Sequence, residues 1–385
     1  YTAKIMEVFT LSRVLPGITE RLDPKQFAMA GIATQHAIVY LLHLTLEALH
    51  EETVGLGSFS PILKKGFDLV YHRILLDKIK LLEVHPCLLR WIASFLEGRS
   101  QVVIFSQPCR LNGGIPQGTR LGPLLFAVMA NDLIRRWLPR AKFVDDLTVI
   151  EIIPRNVLSI LPHIVSEVQA YAVNNNMCLN PSKCKIMAFD FLHYYSFQCP
   201  PVATCGCILE EVKSFKFLGV FISHDLTWMV HCDYIMKKAN RRLYALGNLG
   251  DVAVAHDSVM VSYSLVRSIL EYACVMFAAL PQYLSDSLER IQKRVLVIIF
   301  PGPHTAGLNL AGIPALQDRR SAACHEFIAQ LTPDNLVYKL GASRLESTSA
   351  SAHYSLRSRD RVRTKTTATN RFGDFVTNKY ATDLT

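Results

Sequence analysis

Ala141-Lys142-Phe143-Val144-Asp145-Asp146-Leu147-Thr148-Val149-Ile150 decides how this chain is read. Two short apolar runs, each suited to a buried strand, flank two adjacent carboxylates, so the stretch predicts a β-hairpin with the acids at its tip. Neighbouring aspartates repel, and a divalent cation would supply the missing positive charge, Mg²⁺ taking carboxylate together with phosphate oxygens. Most Asp-Asp pairs are ordinary polar turn residues, however, and the dipeptide alone is weak ground for metal chemistry.

Upstream of the hairpin, an apolar run from Leu121 through Leu124, Leu125, Phe126, Val128 and Met129 to Leu133 predicts a buried helix, with Arg135 and Arg136 placed near its end to suit the dipole. Before it, Leu111-Asn112-Gly113-Gly114-Ile115-Pro116-Gln117-Gly118 holds three glycines and a proline in eight residues and has to be a loop. Gln101 to Phe105 reads as a strand. Leu88, Leu89, Trp91, Ile92, Phe95 and Leu96 recur at helical spacing, with Gly98 as the stop. Further helices are predicted from Leu69 to Leu82 and from Val157, and a helical bundle after Trp228.

Composition sets the outer bounds. The chain has 385 residues, half of them apolar and 19% charged, which excludes a disordered tail protein. The most apolar window, Val261 to Leu280, is broken by Arg267 and Glu271, so a membrane span is not expected. The start at Tyr1 lacks a charged-then-apolar leader and reads as the interior of a longer protein that is intracellular and not secreted. Ten cysteines without a C-x-x-C pair argue against a disulfide framework; the tightest group, Cys199, Cys205 and Cys207 near His193, does not have the spacing of a usual zinc site. With 41 basic and 32 acidic residues the formal charge is +9. Arg357, Arg359, Arg361, Arg363, Lys365 and Arg371 face the single Asp360, a tail that either tracks a polyanion or is merely solvated.

Several motifs then occur in one order: Asp23-Pro24-Lys25-Gln26-Phe27, Gly66-Phe67-Asp68-Leu69-Val70-Tyr71-His72, Gly114-Ile115-Pro116-Gln117-Gly118-Thr119-Arg120-Leu121-Gly122-Pro123-Leu124-Leu125-Phe126, Phe143-Val144-Asp145-Asp146, Leu179-Asn180-Pro181-Ser182-Lys183 and Phe217-Leu218-Gly219-Val220. The series resembles the reverse transcriptases of non-LTR (LINE/jockey-like) retrotransposons. The likeness continues through Leu270-Glu271-Tyr272-Ala273 and Leu288-Glu289-Arg290-Ile291-Gln292-Lys293-Arg294 and covers most of the chain.

The resemblance implies an α+β fold: a right-hand polymerase-like palm, an antiparallel sheet backed by helices, with partial fingers and a helical thumb. Its expected boundaries are a fingers-like segment at residues 1–57, the palm at 58–228, the thumb at 229–300 and a C-terminal region with a basic, flexible tail at 301–385. It implies RNA-templated DNA synthesis by two-metal phosphoryl transfer, with Mg²⁺ or Mn²⁺ as cofactor and RNA template, DNA primer and dNTPs as partners. Asp145 and Asp146 match the metal-holding pair, Lys183 the lysine that steadies the leaving pyrophosphate, Phe67 the aromatic that screens the ribose 2′ position, and Gln117 with Gly118 the loop against nucleotide and template. Lys237, Lys238, Arg241 and Arg242 fall on an expected thumb helix, where they either meet the primer-template backbone or form a solvated basic face.

Two positions depart from the family. The third metal-holding carboxylate belongs five residues before the aromatic, and here that residue is Ile62, which offers no oxygen. Six residues of strand span roughly 20 Å, so Asp68 does not replace it and is expected instead to begin the following helix. Ala28-Met29-Ala30-Gly31-Ile32-Ala33-Thr34 also lacks the Arg or Lys that relatives place against the triphosphate. The expectation is therefore a degenerate copy, a polymerase by descent whose catalysis is weak or absent. The alternatives are a non-catalytic nucleic-acid-binding module and an inert retrotransposon relic.

Overall fold

The computed structural model describes the chain except for residues 1, 30, 51–54, 62, 64–65, 99, 102–108, 111–112, 138, 155–156, 190–199, 248–262, 300–313, 349–360, 365–369 and 385. The fold is α+β, and it divides into two compact units, one of Tyr1–Ala37 with Thr53–Lys213 and one of Ile38–Glu52 with Ser214–Thr385. The division thus falls at 213/214, inside the span read as palm, and most of helix Thr34–His50, read as fingers-like, counts with the second unit.

The first unit is built on a five-stranded sheet. In chain order its strands are β1 (Gly55–Ser60), β2 (Arg140–Phe143), β3 (Asp146–Ile153), β4 (Lys185–Phe189) and β5 (Glu210–Glu211), and they lie side by side as β2-β3-β1-β4-β5. β3 is antiparallel to both neighbours, with Phe143 opposite Asp146 and Phe59 opposite Val149, and β4 is antiparallel to β1 with Ser60 opposite Lys185. The expected antiparallel sheet holds up to its last member, because β5 joins β4 in parallel. Residues 147–151 of β3 are buried in succession, as befits a strand with neighbours on both sides and a covered sheet. Against the sheet pack α1 (Thr2–Ile18), α2 (His72–Leu81), α3 (Pro86–Leu96), α4 (Gly122–Met129) and α5 (Leu161–Asn174), contributing Ile18, Leu75, Ile92, Leu125, Phe126, Ile164 and Val168 to one core with Phe59 and Val149.

The helix boundaries depart from the sequence reading where polar contacts intervene. The helix expected from Leu69 starts at His72, with Tyr71 at its N-cap and no side-chain cap, because the carbonyls of Phe67 and Val70 accept from Ile115 and Gly114 across the neighbouring loop. Asp68 is therefore an exposed turn residue and not a helix-starting acid. The helix expected to reach Leu133 ends at Met129, since its last carbonyls are taken by ammonium groups: Lys78 donates to Met129 at 2.9 Å and Lys142 to Ala130 at 2.9 Å. These cations, and not Arg135 and Arg136, complement the dipole. The helix expected from Val157 begins at Leu161, where Glu151 accepts the Ile160 N–H at 2.6 Å. Of the strand expected at 101–105, Gln101 pairs with Cys109, extended one residue upstream by Ser100 opposite Arg110, and residues 102–105 lie outside the described residues. Gly98 follows α3 with φ +68°, as its stop role requires.

The second unit is mainly helical. A hairpin, Ser214–Phe217 with Val220–Ser223, precedes a long helix, Met229–Gly247, which packs against Gln282–Ile299; Leu316–Ala329 and Leu336–Ala342 follow. Part of the basic tail is regular structure and so departs from a flexible end: Arg361–Thr364 pairs antiparallel with Leu345–Thr348, and Arg371 donates to the Asp225 carbonyl at 2.6 Å. Arg357, Arg359 and Lys365 lie outside the described residues.

Candidate active site

The hairpin of β2 and β3 carries the acids, in a register that refines the expected tip. Phe143 faces Asp146, so the two-residue loop is Val144-Asp145 and Asp146 is the first residue of β3. Val144 has φ +56° whereas Asp145 does not, the φ signs of a type II′ turn, whose first position favours glycine. A β-branched residue is strained there, and such strain persists only where its surroundings over-determine it. Both aspartates are half-buried. Burial, and then the charge of Asp145, push the Asp146 carboxyl up to about 6.

Along β2, the strand that leads into the turn, lies a charge cluster that sequence reasoning missed. Asp23 is buried and receives Arg140 Nη2 at 2.6 Å and Nε at 3.1 Å, with Lys142 Nζ 2.7 Å away. Burial raises the Asp23 carboxyl, but the Arg140 hydrogen bond, the Lys142 ammonium and the Lys25 N–H together hold it below its ordinary value. Burial brings Lys142 down to about 8 against the pull of Asp23, and Arg140 adds to the lowering. The Asp23 to Phe27 segment is thereby fastened along β2: Gln26 bridges Lys142 in parallel, and Lys142 N–H donates to Lys25 at 2.9 Å. The position of Asp-Pro-Lys-Gln-Phe at the head of the ordered motifs was the one available signal.

Phe67, Gln117 and Gly118 come from segments that are laced together. Ile115 N–H donates to Phe67 at 2.8 Å, His72 Nε2 lies 2.8 Å from the Gly114 carbonyl, and Gln117 Nε2 reaches Asp68 at 3.3 Å. Gly114 has φ +91°, and a Cβ there would lie 3.1 Å from the Asp68 carbonyl oxygen, so only glycine allows this approach. Phe67 stacks on Phe126 with ring centroids 4.9 Å apart. Gln117 and Gly118 are exposed beside it.

Lys183 is exposed in the turn after Leu179. That segment runs beside the end of β1, Leu179 bridging Leu63 and Lys185 facing Ser60, while Ser60 Oγ donates to Leu147 on β3 at 3.3 Å. Ile62, the residue at the position of the third carboxylate expected from the resemblance, lies outside the described residues. Among the described residues no group of three or more His, Cys, Asp and Glu is arranged to hold a metal. Cys205 and Cys207 are exposed free thiols, and Cys199 and His193 lie outside the described residues. No helix among the described residues is long and apolar enough to cross a membrane.

In the second unit, Cys232, Ile235, Ala239 and Leu243 are the buried face of helix Met229–Gly247, and Lys237, Lys238, Arg241 and Arg242 lie on its exposed side. The preceding hairpin turns at Leu218-Gly219, both at positive φ, and Tyr272 donates its hydroxyl proton to the Leu218 carbonyl at 2.7 Å. Two motifs far apart in sequence thus meet within this unit.

The family model described as "Reverse transcriptase (RNA-dependent DNA polymerase)" matches residues 4–222, more than half of the chain. The chain is 25% identical over 377 residues to an RNA-directed DNA polymerase from mobile element jockey of Drosophila funebris, covering 90% of this chain and 40% of that one. A probable RNA-directed DNA polymerase from transposon BS of Drosophila melanogaster is 27% identical over 260 residues, 63% of this chain and 28% of that one. The chain spans about 40% of the length of the first of these relatives. Among solved structures, apo telomerase from Candida tropicalis matches with TM-score 0.43 and 11% identity, over 84% of this chain and 53% of that one. On the match over residues 4–222, this chain belongs to the reverse transcriptase (RNA-dependent DNA polymerase) family.

Proposed function

We propose that this chain is the polymerase core of a retrotransposon reverse transcriptase, binding an RNA template with a DNA primer and adding nucleotides slowly because position 62 is isoleucine. The observation that carries the reading is the pair of half-buried carboxylates at one hairpin turn, with Asp146 pushed up to about 6. Two acids that repel at neutral pH fit a divalent cation, Mg²⁺ or Mn²⁺, which removes the repulsion. In a two-metal site one ion would lower the pKa of the primer hydroxyl and the other would neutralise charge on the leaving pyrophosphate.

The chain's own residues do the rest. Asp145 and Asp146 would hold the ion. Phe67, backed by Phe126, screens the ribose 2′ position, and Gln117 with Gly118 offers a polar edge and an unobstructed backbone to the nucleotide. Lys183 steadies the pyrophosphate, and Lys237, Lys238, Arg241 and Arg242 neutralise backbone phosphates. An isoleucine at position 62 leaves two carboxylates where the family has three.

Primer extension on an RNA template with Mg²⁺ or Mn²⁺ tests this. The expected result is weak incorporation that Ile62→Asp raises at least roughly tenfold, an effect abolished by adding Asp145→Asn. Salt-sensitive template binding without extension in either protein would instead establish a binding module without chemistry. Affinity no greater than for an unrelated polyanion would overturn the proposal.

A further inference from the structure

The turn that carries Asp145 is bonded from outside its own hairpin by the side chain of Gln26. Gln26 is 3% exposed, and its Oε1 accepts the N–H of Val144 at 3.3 Å and that of Ala28 at 3.2 Å. Its main chain lies along β2, where Phe27 N–H donates to the Lys142 carbonyl at 2.8 Å. The acceptor is thus delivered from a segment that β2 itself immobilises. In a two-residue hairpin loop the N–H of the first loop residue has no partner in the ladder, and here the Gln26 carbonyl supplies one. The bonded residue is the one with the unfavourable geometry, a valine at φ +56°. Gln26 Nε2 has no hydrogen-bond partner among the described residues. A packing role alone would be met by methionine or leucine without burying that donor.

We infer that Gln26 is a positioning residue for Asp145: its side-chain carbonyl holds the Val144 N–H and with it the left-handed backbone from which the Asp145 carboxylate projects. The inference rests on Asp145 being a cation ligand as proposed above. Loss of the acceptor frees residue 144 to leave the left-handed region, which redirects the peptide entering Asp145 and spreads its carboxylate over more than one orientation. A ligand that has to be reoriented binds its ion less tightly.

The full chain is compared as wild type, Gln26→Met, which keeps volume and removes the acceptor, and Gln26→Asn, which withdraws the amide by one methylene. Three quantities are read on the folded proteins: Mn²⁺ affinity from the paramagnetic resonance of the free ion, hydrogen exchange of the Val144 amide, and the midpoint of thermal unfolding. Both variants are expected to weaken Mn²⁺ binding by roughly tenfold, as removal of groups that orient metal ligands does, and to speed Val144 exchange. Val144→Gly added to Gln26→Met should recover affinity, because glycine adopts positive φ without help. Unchanged Mn²⁺ affinity and unchanged Val144 exchange in Gln26→Met would overturn the inference, as would a lower midpoint with no loss of affinity in the folded protein. A wild type that binds no Mn²⁺ sinks the active-site reading separately; the Val144 exchange rates then still decide whether Gln26 holds the turn.

Discussion

Asp23 and Arg140, 117 residues apart, form a two-point ion pair in which both side chains are 3% exposed or less, Nη2 to Oδ1 at 2.6 Å and Nε to Oδ2 at 3.1 Å. With Lys142 on the same carboxylate, one acid serves two buried cations, and both cations belong to β2, the strand that leads into the turn carrying Asp145. Asp23→Asn removes the only negative charge of this trio and leaves the cations to repel. The expected cost is about 3–5 kcal/mol in a urea unfolding experiment. A loss below about 1 kcal/mol would mean that the cluster does not hold the hairpin.

Asp146 works against stability at neutral pH. Its folded pKa of about 6 lies above the ordinary 3.8, so the folded chain binds the proton more tightly than the unfolded one. The penalty of ionising it is therefore fully present above about pH 6 and is relieved as pH falls toward 3.8. Asp146→Asn should raise stability at pH 7.5 by about 2 kcal/mol, the shift being discounted for partial exposure, and should do nothing near pH 4. A pH-independent gain would locate the effect in packing. Millimolar Mg²⁺ should raise the wild-type unfolding midpoint and leave that of Asp146→Asn less changed.

Two histidines in the second unit titrate with the opposite consequence. His43 and His231 are fully buried, and burial first, then Arg344 for His43 and Lys216 for His231, bring each down to about 4. The unfolded chain takes up protons near 6.5 that the folded chain refuses, so this stability is complete above 6.5 and is lost as pH falls through 4. Each contributes about 3 kcal/mol over that window. His43→Gln and His231→Gln should flatten the acid limb of the unfolding curve, a change that circular dichroism between pH 7 and 4 would detect.

The hairpin before the long helix offers a steric test. Gly219 has φ +90°, and a Cβ there would stand 3.0 Å from Tyr272 Cε1. Gly219→Ala should cost about 1–3 kcal/mol through backbone strain together with that contact. In a double-mutant cycle with Tyr272→Ala, the steric share should disappear and the strain should remain. Strict additivity would show that the two residues do not touch. Tyr272→Phe, which leaves the Leu218 carbonyl without its 2.7 Å donor, should cost about 1 kcal/mol alone.

Local chemistry made much of this legible in advance. The Val144-Asp145-Asp146 hairpin, the glycine-rich loop before Leu121 and the stop at Gly98 all follow from residue types that tolerate few conformations. At two helix ends that the sequence reading missed, a polar contact from another segment had overridden local preference. The helix at His72 starts late because Gly114 and Ile115 use the carbonyls before it, and the helix after Leu121 ends early because Lys78 and Lys142 collect its terminal carbonyls. Nothing in the periodicity of either helix encodes a partner a dozen or more residues away.

The amino-acid order by itself determined the class of the protein and the position of its two adjacent carboxylates, since these depend on residue identity and spacing along the chain. Only the tertiary structure decided that Asp23 neutralises Arg140 and Lys142, that Gln26 holds the Val144 amide, and that Tyr272 caps the turn at Leu218. Burial changes what a polar side chain needs, and only the folded chain shows which distant group supplies it.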